Sequence, residues 1–346
     1  MTGDLASATA PIGLKARYKL VWKRRRLLWR AWRSRRALEC IVDRTNALTS
    51  SSIPVIMVVR NETSRLPFFL EHHRQLGAGP FLIVDNGSHD GTMEYLSAQP
   101  DVSLWQTAAS YRGSRFGLDW TGWLQMRFAH NRWCLVLDAD ELLVYPNHTT
   151  HALPSLTKWL DQQGRRAFGA IMLDLYPKSP IGADPIPLGS DPTQVLCWFD
   201  DGPYRAERQA PLGNLWLQGG MRERAFFDAT PRRSPTLNKL PLVRWHRRYA
   251  YVNSTHSALP RKLNEAYDGP SLHDPCGVLL HTKFMPDAVE RAKLEKRRKQ
   301  HFHDPAQFDD YYDAIAAGPT LWSAKSRRYN GSESLSAAGL MPERLW

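Results

Sequence analysis

Residues 133–141 read WCLVLDADE: Trp133-Cys134-Leu135-Val136-Leu137, then Asp138-Ala139-Asp140-Glu141. A short run with no charge in it is the pattern of a strand buried on both faces, as in a parallel sheet. This one delivers two carboxylates, two residues apart, at its C-terminal end. The same punctuation occurs twice upstream. Pro54-Val55-Ile56-Met57-Val58-Val59 ends in Arg60-Asn61-Glu62, and Phe81-Leu82-Ile83-Val84 ends in Asp85-Asn86-Gly87-Ser88. Between them, RLPFFLEHHRQL places Leu66, Phe69, Leu70 and His73 on one helical face, with Gly77 as a stop. Asp90-Gly91-Thr92 opens a helix through Leu96, Val102 to Trp105 is a further short strand, and a Trp-rich helix is expected over Leu118 to His130.

Strand and helix therefore alternate four times across short loops. The expected fold class is α/β, a mainly parallel, Rossmann-like sheet with helices on both faces. Ligands of such sheets bind at the C-terminal strand ends. Asn61-Glu62, Asp85-Asn86 and Asp138/Asp140 then converge on one edge. Paired carboxylates at a strand end suit Mg²⁺ or Mn²⁺, which also take phosphate oxygens. Such an ion stabilises the charge that a departing diphosphate accumulates. The plainer alternative is a pair of exposed or helix-capping aspartates after a core strand.

From Val55 to Tyr145 the chain resembles the nucleotide-binding half of glycosyltransferase family 2, which has the GT-A fold. The likeness is to the bacterial subgroup with N-E, D-N-x-S-x-D-G-T and D-A-D-E motifs. Here these stand as Asn61-Glu62, Asp85-Asn86-Gly87-Ser88-His89-Asp90-Gly91-Thr92 and Asp138-Ala139-Asp140-Glu141. Downstream, GGMRERAFF, LNKLPLVRW and LLHTKF also resemble that subgroup. The resemblance implies transfer from a nucleotide sugar, a UDP-sugar above all, to a carbohydrate or lipid-linked acceptor. It also implies inversion and a place in bacterial polysaccharide or glycoconjugate synthesis. Asp85 would bind base or ribose, with Asn61, Glu62, Asn86 and Asp90 beside it. Asp138 would reach ribose or metal, and Asp140 would chelate the metal. His281 resembles the late metal-binding histidine of such enzymes; its alternative is a hydrogen-bonded core residue. Gly219 and Gly220 resemble an acceptor-side loop whose missing side chains admit a sugar. Arg222 and Lys283 are candidates for phosphate contact. The family's Glu-Asp pair, whose Asp acts as base, has no evident copy. Glu223 is the nearest carboxylate, with an ion pair to Arg222 or Arg224 as its alternative. Stacking of the Trp120 to Trp123 segment on a sugar competes with core packing.

The second half is less regular. Residues 176–215 are rich in Pro, Gly and Asp and are expected as loops; Val278 to Phe284 as a late strand; 286–301 and 305–317 as helices. The expected organisation is a basic amphipathic arm over 1–50, a nucleotide-sugar-binding half over 51–150, an acceptor-side half over 151–285 and a C-terminal helical segment over 286–346.

Hydrophobic residues make up 42% of the 346, enough for a packed core without disulfides. Cys40, Cys134, Cys197 and Cys276 form no C-x-x-C pair, which disfavours a zinc knuckle or a disulfide framework and fits a reducing cytoplasm. Net charge is +12, yet residues 15–36 hold eleven Lys/Arg and no Asp/Glu, and elsewhere the charges nearly balance. A broadly cationic nucleic-acid-binding domain is thereby disfavoured. The arm repeats Leu14, Tyr18, Val21, Trp22, Leu28, Trp29 and Trp32 at helical spacing, with Arg25 interrupting the stripe. It suits peripheral contact with an anionic membrane at the inner face of the cell, or packing of its tryptophans on the protein body. No G-x-G-x-x-G follows a strand, which disfavours a dinucleotide dehydrogenase. A haloacid-dehalogenase-type phosphatase would have Thr or Val where Leu142 stands. A non-catalytic sugar- or membrane-binding module is the remaining alternative.

Overall fold

The computed structural model describes residues 11–298 and 309–345. The apolar runs become the centre of a sheet. After helix α1 (Leu14–Ser34) come strands β1 (Glu39–Val42) and β2 (Val55–Val59), helix α2 (Leu66–Gln75), β3 (Phe81–Asp85), α3 (Thr92–Ser97), β4 (Val102–Gln106), α4 (Leu118–Phe128) and β5 (Trp133–Val136). Strand β6 (Glu141–Val144) starts immediately after the aspartate pair, followed by α5 (Leu153–Gln162) and β7 (Ala167–Asp174). The second half of the chain adds β8 (Trp198–Phe199), β9 (Tyr204–Gln209), β10 (Asn214–Gly219), α6 (Gly220–Phe226), β11 (Asn238–Arg244), β12 (Ala250–Tyr251), β13 (Ala258–Leu259) and β14 (Cys276–His281). Helices α7 (Ala288–Arg298) and α8 (Asp309–Ala316), strand β15 (Arg327–Arg328) and helix α9 (Ser332–Ala337) complete the described chain. Residues 299–308, at the junction of the two expected C-terminal helices, lie outside the described residues, as do 1–10 of the arm.

Nine strands form one sheet in the order β1-β4-β3-β2-β5-β11-β7-β14-β6. Strands β2, β3, β4, β5, β7 and β14 run one way; β1, β11 and β6 run against them. The mainly parallel α/β architecture is thus the one expected. Strand β11 lies between β5 and β7, so both halves of the chain share one sheet.

Two expectations are corrected. Residues 204–219 are not loop but the antiparallel hairpin β9–β10. Strand β9 alternates half-buried and exposed residues, so its polar composition is that of a strand with one wet face. The tryptophans of the arm are not its contact with the body. Helix α1 packs through buried Leu27 and Ala31, with Ala31 against Gly122 of α4. Arg30 pairs with Asp119 at 2.7 Å, and the Ser34 hydroxyl donates to the Asp119 carbonyl. Trp120, by contrast, is core.

One glycine is demanded by the packing that shapes the site edge. Gly117, at φ +79°, starts α4 where a Cβ would stand 2.7 Å from the Val58 side chain. Helix α4 therefore lies directly on β2. The C-terminal helices close the same edge from the other side. Arg291 of α7 pairs with Glu62 at 2.9 Å and with Asp287 at 2.6 Å, and Arg65 pairs with Asp287 at 3.1 Å.

Candidate active site

The sheet register brings the site together. Strand β14 lies between β7 and β6, which sets His281 beside Asp174 on one side and Glu141 on the other. The Asp140 backbone is fixed by Thr282, whose N–H donates to the Asp140 carbonyl at 2.8 Å. His281 then bridges two carboxylates. Its Nε2 is 3.1 Å from Asp140 Oδ2 and its Nδ1 is 2.6 Å from Asp174 Oδ1. Arg222 closes the chain on Asp174. Burial opposes charge on the imidazole, but Asp140 and Asp174 outweigh it and hold its pKa up to about 9. Burial likewise opposes ionisation of Asp174, yet Arg222 and His281 keep it well below the usual carboxylate range.

A second cluster sits next to the first. Lys239 of β11, its side chain 4% exposed, lies 3.1 Å from Asp138 and 2.8 Å from Glu141. Burial disfavours the ammonium, but the two carboxylates raise its pKa overall. Glu141 is pushed upward by the same burial. Asp138 remains half exposed, with one oxygen on Lys239. The set Asp138, Asp140 and His281 is therefore not gathered as three ligands. Among the described residues no group of three His, Cys, Asp or Glu side chains is arranged to hold a metal.

Asp140 and His281 would be the pair to hold an ion, with His281 giving up its ring proton to do so. Asp174 on Nδ1 fixes the ring so that Nε2 faces Asp140, the usual outer-shell support of a ligating histidine. Two protein ligands, with phosphate and water for the rest, is a common arrangement for Mg²⁺.

The upstream turns are tied to one another. Asp85 is fully buried. Its Oδ1 accepts the Gly87 and Ser88 N–H groups at 2.9 Å, and the Ser88 hydroxyl donates to Oδ2. Asn86 Nδ2 donates to the Thr107 and Ala109 carbonyls. Asn61, at φ 54°, accepts the His89 N–H, and Asp90 accepts the Thr63 and Thr92 N–H groups. Glu62 is occupied by Arg65 and Arg291. These side chains shape the β2 and β3 strand-end loops, and both Asp85 oxygens are used within its own turn.

The acceptor-side expectations change more. A Cβ on Gly219, at φ +135°, would stand 2.0 Å from the Pro203 carbonyl, and one on Gly220 would be 3.1 Å from the Tyr204 ring. The missing side chains admit β9, not a sugar. Arg222 is 6% exposed and serves as the counterion of Asp174, which removes it as a phosphate contact. Lys283 lies 5.0 Å over the Tyr311 ring, close enough to Asp140 to favour its ionised form. Glu223 is clamped by Arg205, with two contacts of 2.6 Å, and neither Arg222 nor Arg224 is its partner. Acting as a base would require Arg205 to release it.

Two residues of the site were not singled out from sequence. Asp174 ends a fully buried strand, the same signal that marks Asp85 and Asp138. Lys239 is a lysine inside the apolar stretch LNKLPLV, an anomaly that only a buried counterion explains.

No family model and no curated protein matches this chain. Among solved structures it is similar to S. aureus TarS 1-349, at 13% identity and TM-score 0.29, over 77% of this chain and 70% of that one. It is also similar to a UDP-glucose pyrophosphorylase complexed with UDP-glucose, at 8% identity and TM-score 0.25, over 83% and 97%. A third is 4-diphosphocytidyl-2C-methyl-D-erythritol synthase, at 12% identity and TM-score 0.25, over 85% and 99%. At these identities and TM-scores, none of the three decides what this chain does.

Proposed function

We propose that this protein is a metal-dependent glycosyltransferase that takes a sugar from a nucleotide-sugar donor, a UDP-sugar first, at the C-terminal edge of its sheet. The observation that carries it is the Asp140–His281–Asp174 chain, set beside the Lys239-anchored Asp138. Asp140 and His281 would hold Mn²⁺ or Mg²⁺, which would supply charge stabilisation to the leaving diphosphate. Asp174 fixes the His281 ring and Lys239 aims Asp138 toward ribose. Lys283 adds positive charge beside Asp140. The loops of Asn61, Asp85, Asn86 and Asp90 present their backbone to the nucleotide. A carbohydrate or lipid-linked acceptor, inversion, and a place in bacterial polysaccharide or glycoconjugate synthesis rest on the motif resemblance alone.

Binding of UDP measured by calorimetry is expected to tighten by at least about tenfold when Mn²⁺ replaces excess chelator, since an ion held by Asp140 would also take diphosphate oxygens. Equal affinity in both conditions would remove the metal from the mechanism. Hydrolysis of UDP-sugars by the purified protein separates an enzyme from a binding module with the same sheet.

Glu223→Gln is expected to keep transfer within about tenfold of the parent and to cost about 1 kcal/mol of stability, because it weakens an ion pair whose arginine is half exposed and solvated, although Glu223 itself is only 15% exposed. A loss of about a thousandfold in kcat, with the fold unchanged, would instead make Glu223 the catalytic base.

A further inference from the structure

Helix α1 has two opposed faces. Leu20, Leu27, Ala31 and Ser34 turn toward the body, where Leu27 joins Ala250, Val252 and Leu259 in a small core. At 100° per residue, Tyr18, Trp22 and Trp29 fall within about 40° of one another on the opposite side. Their exposures are 64%, 51% and 54%, and Trp32 next to them is 42% exposed. Arg25 lies over Trp22 at 5.5 Å and Arg33 over Trp29 at 5.3 Å. Lys15, Lys19 and Arg26 flank this stripe on one shoulder and Arg17 on the other, while Arg24 turns toward the body. The body extends the basic surface. Arg24, Arg247 and Arg248 all stand near His246, and Arg261 lines an apolar groove with Arg17 and Arg24.

We propose that the outward face of α1, with Arg247 and Arg248 beside it, is a fixed docking surface on which this protein lies flat against an anionic lipid bilayer. The order of residues around the helix selects the partner. Aromatic rings crowd the apex, with Arg25 among them and stacked on Trp22, and the other cations lie on the shoulders; this matches the depth profile of a membrane interface, with rings at the acyl boundary and charges at the headgroups. A nucleic-acid surface would put cations at the apex, toward phosphate. A 21-residue helix is about 30 Å long, so the stripe meets a plane over its whole length. No described helix is long and apolar enough to cross the membrane. Because Leu27, Ala31, Arg30 and Ser34 belong to the folded body, α1 is part of the structure and not a detachable tether. Deleting it would damage the fold, so exposed-face substitutions are the cleaner probe.

The test is flotation of the full chain with phosphatidylcholine vesicles, with and without phosphatidylglycerol, at low and high salt. Parent protein is expected to float only with the anionic vesicles and to be released by salt. Trp22→Ser with Trp29→Ser is expected to lower partitioning by about tenfold or more, with thermal unfolding unchanged. Lys19→Glu with Arg26→Glu is expected to weaken it further, at about fivefold per charge removed from the anionic surface. Parent protein that ignores anionic vesicles at low salt would overturn the proposal. So would variants that float like the parent. Tighter binding of poly(U) than of vesicles, lost in the same variants, would assign the face to RNA instead.

Discussion

Asp140→Ala is expected to lower sugar transfer by on the order of a thousandfold while leaving the fold intact. Asp140 is the one carboxylate of the site that contacts His281 and is also open to solvent, at 27% side-chain exposure. On the proposed function it is where an ion and a diphosphate would meet the protein. Its backbone is held by Thr282 independently of the side chain, so truncation does not release the loop. His281 keeps Asp174 as its partner. The loss should appear in kcat and in kcat/KM together, the mark of an interaction made in the transition state. Asp138→Ala should cost less, since that side chain is half solvated. Asp174→Ala is the contrasting case. It leaves Arg222 buried without its carboxylate, so instability should accompany any loss of activity. An Asp140→Ala protein with near-parent turnover would place the metal, or the chemistry, elsewhere.

What the sequence revealed follows from where the physics is local. The runs Val55–Val59, Phe81–Asp85 and Trp133–Val136 announce themselves because a strand buried on both faces tolerates no charge, and each sits in the sheet within a residue or two of its expected place. The helix over Leu66–Gln75 was legible from its apolar spacing. The hairpin Tyr204–Gly219 was not, because half of it faces water and its composition imitates loop. The arm was legible as an amphipathic basic helix, but which face meets the body was not. Its largest apolar residues point outward, while a leucine, an alanine and a serine make the contact. The pairings within the site were illegible for a topological reason. Lys239 meets Asp138 only because β11 inserts antiparallel beside β5, and Asp174 meets His281 only because β7 and β14 run parallel in register. Pairings between residues about a hundred positions apart leave no local trace. Glu223 was weighed against its sequence neighbours, whereas its partner Arg205 comes from the facing strand.

Lys239→Met is expected to be the most destabilising single change in the site, at about 3–5 kcal/mol. Methionine keeps much of the length and fills the volume, so cavity formation is not the main cost. The cost is electrostatic. Glu141 is 1% exposed and Lys239 is its cation, at 2.8 Å. Without the ammonium the carboxylate must stay charged in an apolar setting or take up a proton; burial pushes its pKa up to about 7 even beside Lys239, so it takes up the proton and the ion pair is lost. Asp138 loses less because water reaches it. The double variant Lys239→Met with Glu141→Gln separates this cause from misfolding, since it removes the stranded charge along with its partner. Urea unfolding should show the double variant regaining at least about half of what the single change lost, a coupling of about 1.5 kcal/mol or more between two touching residues. Single and double variants of equal stability would mean that Lys239 acts through packing and not as the counterion of Glu141. Transfer activity adds an independent readout. If Lys239 also aims Asp138, the double variant should refold well yet retain a raised KM for donor, because Asp138 is then free to turn away from ribose.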